Sequence, residues 1–134
     1  MTSNRPHQRL TPLPPDELAE RLKRELPDWR FADGAIERQI ATSGWRATLM
    51  VVNTIGHLAE AAWHHPSLSV DYARVGVSLW THDANGITER DLALAKRIDE
   101  VVLWRPGREP GSALEGPPED DPRHAYIVHG AAPR

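Results

Sequence analysis

The sequence predicts an α+β chain with the element order α-β-β-α-β-β-α. Three observations predict it. Apolar residues recur at helical spacing in three separate segments, around Leu18–Leu22–Leu26, from Trp45 to Ala62, and around Leu94–Ile98–Val102. Two pairs of short strand-like runs lie between those segments. The pairs flank the longest helical stretch symmetrically. At 134 residues the chain fits one domain with a real core, and is too short for two.

Residues 1–14 contain three prolines and few apolar residues, and read as a flexible arm before a domain spanning 15–104. Asp16 to Leu26 is the first helix: Pro14-Pro15 suit its entry and Pro27 ends it. Trp29–Ala32 and Ala35–Thr42 are two short strands around Asp33-Gly34, a tight-hairpin dipeptide. Ser43 is the expected N-cap of a long second helix running to about Trp63, with Trp45, Leu49, Val52, Ile55, Ala59 and Ala62 as its buried stripe. Leu68–Tyr72 and Arg74–His82 form the second strand pair, with Val75, Val77 and Leu79 on one face. Asn85-Gly86 turns into a third helix from Thr88 to about Leu103, buried through Leu94, Ile98, Val101 and Val102. Beyond Trp104, prolines, glycines and the run Glu119-Asp120-Asp121 give 105–134 the composition of a disordered or loosely draped tail. Within it His124–His129 is at most a short edge strand.

Composition narrows the function. A formal charge of -3 argues against a nucleic-acid partner, which would want a basic face. The absence of cysteine removes disulfides, thiolate nucleophiles and cysteine-ligated zinc. Leu49–Val52, the most apolar run, is cut short by Asn53 and cannot span a bilayer. No signal-peptide pattern is visible, so a cytoplasmic location is expected.

The chemistry concentrates in one stretch. His64-His65 precede Pro66, His82 ends the last strand-like run, Glu60 stands one helical turn before His64, and Asp91 lies nearby in sequence. Histidine titrates near neutrality, so such a cluster can both give and take protons. Each residue also has a plain structural reading. A histidine at a helix end is often a C-cap, Glu60 and His64 at i, i+4 form a common surface pair, and Thr88 with Asp91 resembles a capping box. Zinc is the competing reading, but adjacent histidines on a helix diverge by about 100° and the H-E-x-x-H pattern is absent, so no metal is expected.

The run Glu60-Ala61-Ala62-Trp63-His64-His65-Pro66, followed by Tyr72, Thr81-His82-Asp83-Ala84-Asn85-Gly86-Ile87-Thr88-Glu89-Arg90-Asp91 and Ala95-Lys96-Arg97-Ile98-Asp99, resembles the pterin-4a-carbinolamine dehydratases. The likeness extends over roughly Leu13–Leu103 and is strongest from Leu58 onward. It implies a four-stranded antiparallel sheet with three helices on one face, assembled as a homodimer or homotetramer. It implies dehydration of 4a-hydroxytetrahydropterin to quinonoid dihydropterin, in tetrahydrobiopterin recycling for an aromatic amino-acid hydroxylase, with no cofactor beyond the pterin substrate. The catalytic residues it implies are His64, His65 and His82, with Glu60 and Asp91 as the carboxylates of the site; Trp63 and Thr81, read from their positions beside these residues, are also expected to bind substrate. An alternative within the same likeness is a non-enzymatic assembly factor of the RuBisCO type, or a dimerisation cofactor. This chain departs from the family pattern at Trp63, where many relatives carry a small or polar residue, at Thr48–Val52, at Leu68, and in its tail.

Overall fold

The computed structural model describes residues 10–118 and 120–130. Its elements are α1 (Pro15–Glu25), β1 (Arg30–Ala32), β2 (Ala35–Ala41), α2 (Trp45–Ala62), β3 (Ser67–Asp71), β4 (Arg74–Leu79) and α3 (Glu89–Val102). The strands form one antiparallel sheet in the order β1-β2-β4-β3. The α+β order expected from sequence is the order observed. The arm expected over 1–14 falls outside the described residues up to position 9. From Leu10 the chain is described, and the Leu13 amide donates to the Ile87 carbonyl at 2.8 Å.

Register explains which face is buried. Ile36 lies opposite Leu79, Ile40 opposite Val75, and Leu68 opposite Val77, so all of these project to one side. They meet Leu18 and Leu22 of α1, Val51 and Ile55 of α2, and Leu94, Ile98 and Val102 of α3 in a single core. Ser67, Ser69, Gln39, Glu37 and Ser78 occupy the other side, which none of the three helices α1, α2 and α3 covers among the described residues. All three helices therefore share one face of the sheet. Each fully buried Ile or Val contributes roughly 1.5–3 kcal/mol, and truncating Ile98 to alanine would cost about 2–5 kcal/mol.

Two expectations for α2 are corrected. Its buried residues are Ala47, Thr48, Val51, Ile55 and Ala59, whereas Trp45, Leu49 and Met50 are exposed. The stripe is thus rotated from the one predicted. Buried Thr48 explains the rotation, because its hydroxyl bonds Thr42 Oγ1 at 2.7 Å and donates to the Tyr72 carbonyl at 3.0 Å. Ser43 is not the N-cap. Gly44 occupies that place at φ 153°, where a Cβ would approach the Tyr72 hydroxyl at 3.3 Å, and the Ser43 hydroxyl donates to the Ala125 carbonyl instead.

The described part of the tail is draped over the end of β2. β1 pairs only with Ala35–Glu37, leaving the same edge of β2 open further along. There Ile127 bridges to Thr42, the Val128 amide donates to the Ala41 carbonyl at 2.9 Å, and the Ser43 amide donates to the Tyr126 carbonyl at 3.1 Å. The strand character expected near His124–His129 is confined to this bridge. No helix among the described residues is long and apolar enough to cross a membrane.

Candidate active site

The site begins where α2 stops. Trp63 follows the helix in left-handed geometry, φ 53° and ψ 46°, and its amide donates to the Glu60 carbonyl at 3.2 Å. The His64 amide reaches back to the Ala59 carbonyl at 3.1 Å. This pair of bonds closes the helix as a Schellman-type turn, which satisfies its last carbonyls and reverses the chain. The reversal carries His64 inward to 8 % exposure while Trp63 and His65 stay outside.

His64 meets Asp91 there, Nε2 to Oδ1 at 2.6 Å. Asp91 has no exposure at all. Its second oxygen accepts from the Thr81 hydroxyl at 2.7 Å and from the Thr88 amide at 2.9 Å. The Thr81 and Thr88 hydroxyls are 2.8 Å apart, and Thr88 Oγ1 accepts from the Arg90 amide at 3.3 Å. Since the single proton of Thr81 goes to Asp91, the proton of Thr88 must point at Thr81. One carboxylate therefore joins the end of α2, the segment after β4 and the start of α3. A carboxylate only accepts, so Nε2 of His64 carries a proton toward it and Nδ1 remains to exchange one. Among the described residues Nδ1 has no hydrogen-bond partner, and it is not sealed from solvent.

The pairing expected between Glu60 and His64 is replaced. Glu60 Oε1 bonds His65 Nε2 at 2.6 Å, on the exposed surface. The i, i+4 relation holds only while a helix continues, and α2 ends at Ala62. His82 is also displaced from expectation. β4 stops at Leu79, and His82 opens a 3-10 turn, His82–Ala84, closed by left-handed Asn85 and by the Thr81–Gly86 bridge. It is exposed and lies against Trp80, ring centroids 4.1 Å apart. His82 follows Thr81 directly, so the Thr81–Asp91 bond ties its backbone to the same rim as His64.

The predicted residues thus divide into two layers. Asp91 and Thr81, expected to touch substrate, lie beneath His64 and touch each other. His65, His82, Glu60 and Trp63 stand in the open. A 700 Å3 concavity lies elsewhere, between Trp104, Arg108, Tyr126 and His129, and a smaller one beside Trp29 and Arg38; neither includes His64, His65 or His82. No group of three or more His, Asp or Glu with metal-holding geometry occurs among the described residues. Thr88 is the member of the network that sequence reasoning reads too narrowly, as a helix cap alone. The capping box was its only signal.

The family model described as pterin 4 alpha carbinolamine dehydratase matches residues 11–101. A protein of Aquifex aeolicus (strain VF5), provisionally named pterin-4-alpha-carbinolamine dehydratase, is 51% identical over 86 residues, covering 62% of this chain and 87% of its own. One of the same provisional name from Chloroflexus aurantiacus (strain ATCC 29366 / DSM 635 / J-10-fl) is 43% identical, covering 64% of this chain and 91% of its own. The crystal structure of a transcriptional coactivator/pterin dehydratase from Brucella melitensis superposes with a TM-score of 0.64 at 29% identity, over 69% of this chain and 99% of that one. With the match running from before α1 to residue 101, within the last turn of α3, the chain belongs to the pterin 4 alpha carbinolamine dehydratase family.

Proposed function

We propose that this chain converts 4a-hydroxytetrahydropterin to quinonoid dihydropterin and water, returning the oxidised pterin of an aromatic amino-acid hydroxylase to its cycle. The C4a–O bond breaks as the leaving hydroxyl takes a proton and departs as water. N5 gives up its proton, and the electron pair left there forms the C4a=N5 bond. His64 and His82 are the groups assigned to these two transfers, which are worth ~10²–10⁴-fold in rate. His65, steadied by Glu60, orients the substrate by hydrogen bonding. Asp91 and Thr81 act through His64 by fixing which of its nitrogens faces outward. That fixed imidazole is the observation that carries the reading: a buried carboxylate holds one nitrogen of His64, and bonds as well to Thr81, the residue before His82.

The test is turnover by His82→Ala and His64→Gln, the latter retaining a donor for Asp91. Each should lose roughly two orders of magnitude in rate, with the His82→Ala melting temperature close to the parent's. Folded variants that turn over at the parental rate would remove both assignments. Only protein groups are invoked, so dialysis against a strong chelator should leave turnover unchanged.

A second reading, as a dimerisation cofactor or an assembly factor of the RuBisCO type, is favoured by the double name of the Brucella relative and by the exposed Trp45, Leu49 and Met50 on α2. Parental turnover separates the two, because the second reading requires none.

A further inference from the structure

Trp63 burdens the fold in two ways. Its φ of 53° lies in the left-handed region, where a Cβ crowds the backbone and glycine is the usual occupant at a helix end. The residue is 73 % exposed, so little burial offsets that strain. The other non-glycine residues of positive φ among those described are Asp33 and Asn85, both of the small polar kind that tolerates it. Trp63 is the bulky exception, and it sits at the turn that delivers His64 and His65.

The indole is not randomly placed. It meets the His65 ring at 5.1 Å in an edge-to-face arrangement of 81°, and Glu60 holds His65 from another side at 2.6 Å. Most of its surface remains free beside the rim. Strained backbone with an exposed aromatic ring, next to groups that transfer protons, has the form of a feature kept for binding rather than for folding.

We infer that Trp63 is a substrate-affinity determinant: a stacking platform that receives a flat, bicyclic heteroaromatic ring over the histidine rim. The inference rests on the dehydratase reading and adds the residue that sets affinity in this chain. Stacking holds ground state and transition state alike, so Trp63 governs KM and leaves kcat to the histidines.

The experiment compares the parent with Trp63→Gly, Trp63→Asn and Trp63→Tyr in calorimetric titration with 7,8-dihydrobiopterin, in thermal melting and in turnover. The parent should bind. Glycine and asparagine should each weaken binding and raise KM roughly three- to tenfold, with kcat within about twofold. Both should melt above the parent, glycine by roughly 2–5 °C, because left-handed strain is relieved. Tyrosine should restore most of the affinity without the gain in melting temperature. Equal or tighter binding by the glycine and asparagine variants would overturn the inference, the latter showing that the indole blocks the rim. Lower melting of both would also overturn it, since the ring would then serve packing. If the parent turns over substrate, these failures concern Trp63 alone. A parent that neither binds nor turns over defeats the dehydratase reading and this inference with it.

Discussion

Asp91 receives three hydrogen bonds at zero exposure, each from a different part of the chain. Replacing one donor or the acceptor leaves a buried polar group short of a partner, at a cost of about 1–3 kcal/mol. Asp91→Asn is the sharpest probe, because its amide offers a donor where His64 or Thr81 also needs to donate. Turnover should fall roughly 10²-fold or more, and the melting temperature by several degrees. The nitrogen shifts of His64 should show its proton no longer held on Nε2. Unchanged shifts and turnover would mean that the carboxylate serves only as a helix cap. At this scale sequence reasoning paired the histidines and carboxylates wrongly. Periodicity assigns Glu60 to His64, and only the left-handed turn at Trp63, which no residue preference would place on a tryptophan, hands His64 to Asp91.

Elements were legible where one signal dominated. Pro27 stops α1 and Asp33-Gly34 turns β1 into β2, and the observed boundaries fall within two residues of those expected. α2 misled because apolar residues lie on both of its sides and the polar Thr48 is buried. The packing of α1 on α3 was not legible at all, since it depends on charges far apart in sequence. Arg21 bonds both Glu25 and Glu89, and Lys96 also bonds Glu25, so four side chains clip the two helices together. The hydrogen bond from Arg21, then that from Lys96, lower the Glu25 carboxyl to about 2. A carboxyl depressed in the folded state contributes its stability above its ordinary value and loses it as acid approaches the depressed one. The melting temperature should therefore fall between about pH 4.5 and pH 2, and Glu25→Gln should flatten that part of the profile while melting lower at pH 7. An acid limb identical in parent and variant would show that the clip carries none of it.

The whole molecule has an unfinished sheet. Among the described residues β3 is bonded to β4 on one side only, and Val70 on its core face is 40 % exposed at the edge. The outward side of α2 adds Trp45, Leu49 and Met50. An open edge beside apolar surface favours pairing with a second copy, which removes an aggregation hazard. Light scattering should accordingly give a mass above the monomer. Val70→Lys, or Leu49→Glu on α2, should lower it, since an edge lysine or an interfacial charge opposes such pairing. The tail is a separate matter. Its Pro/Gly-rich composition reads as looseness, but composition cannot show that Ala41 and Ser43 leave backbone groups open for Val128 and Tyr126 to satisfy. A chain ending at Arg105 loses those bonds together with the packing of Tyr126 and Ile127 on the core, so it should melt several degrees lower. It should keep the oligomeric state of the full chain, because neither β3 nor Leu49 takes part in the tail's backbone bonds. A monomer after truncation would place the tail inside the interface, and would move the assembly surface from the β3 edge to the end of β2.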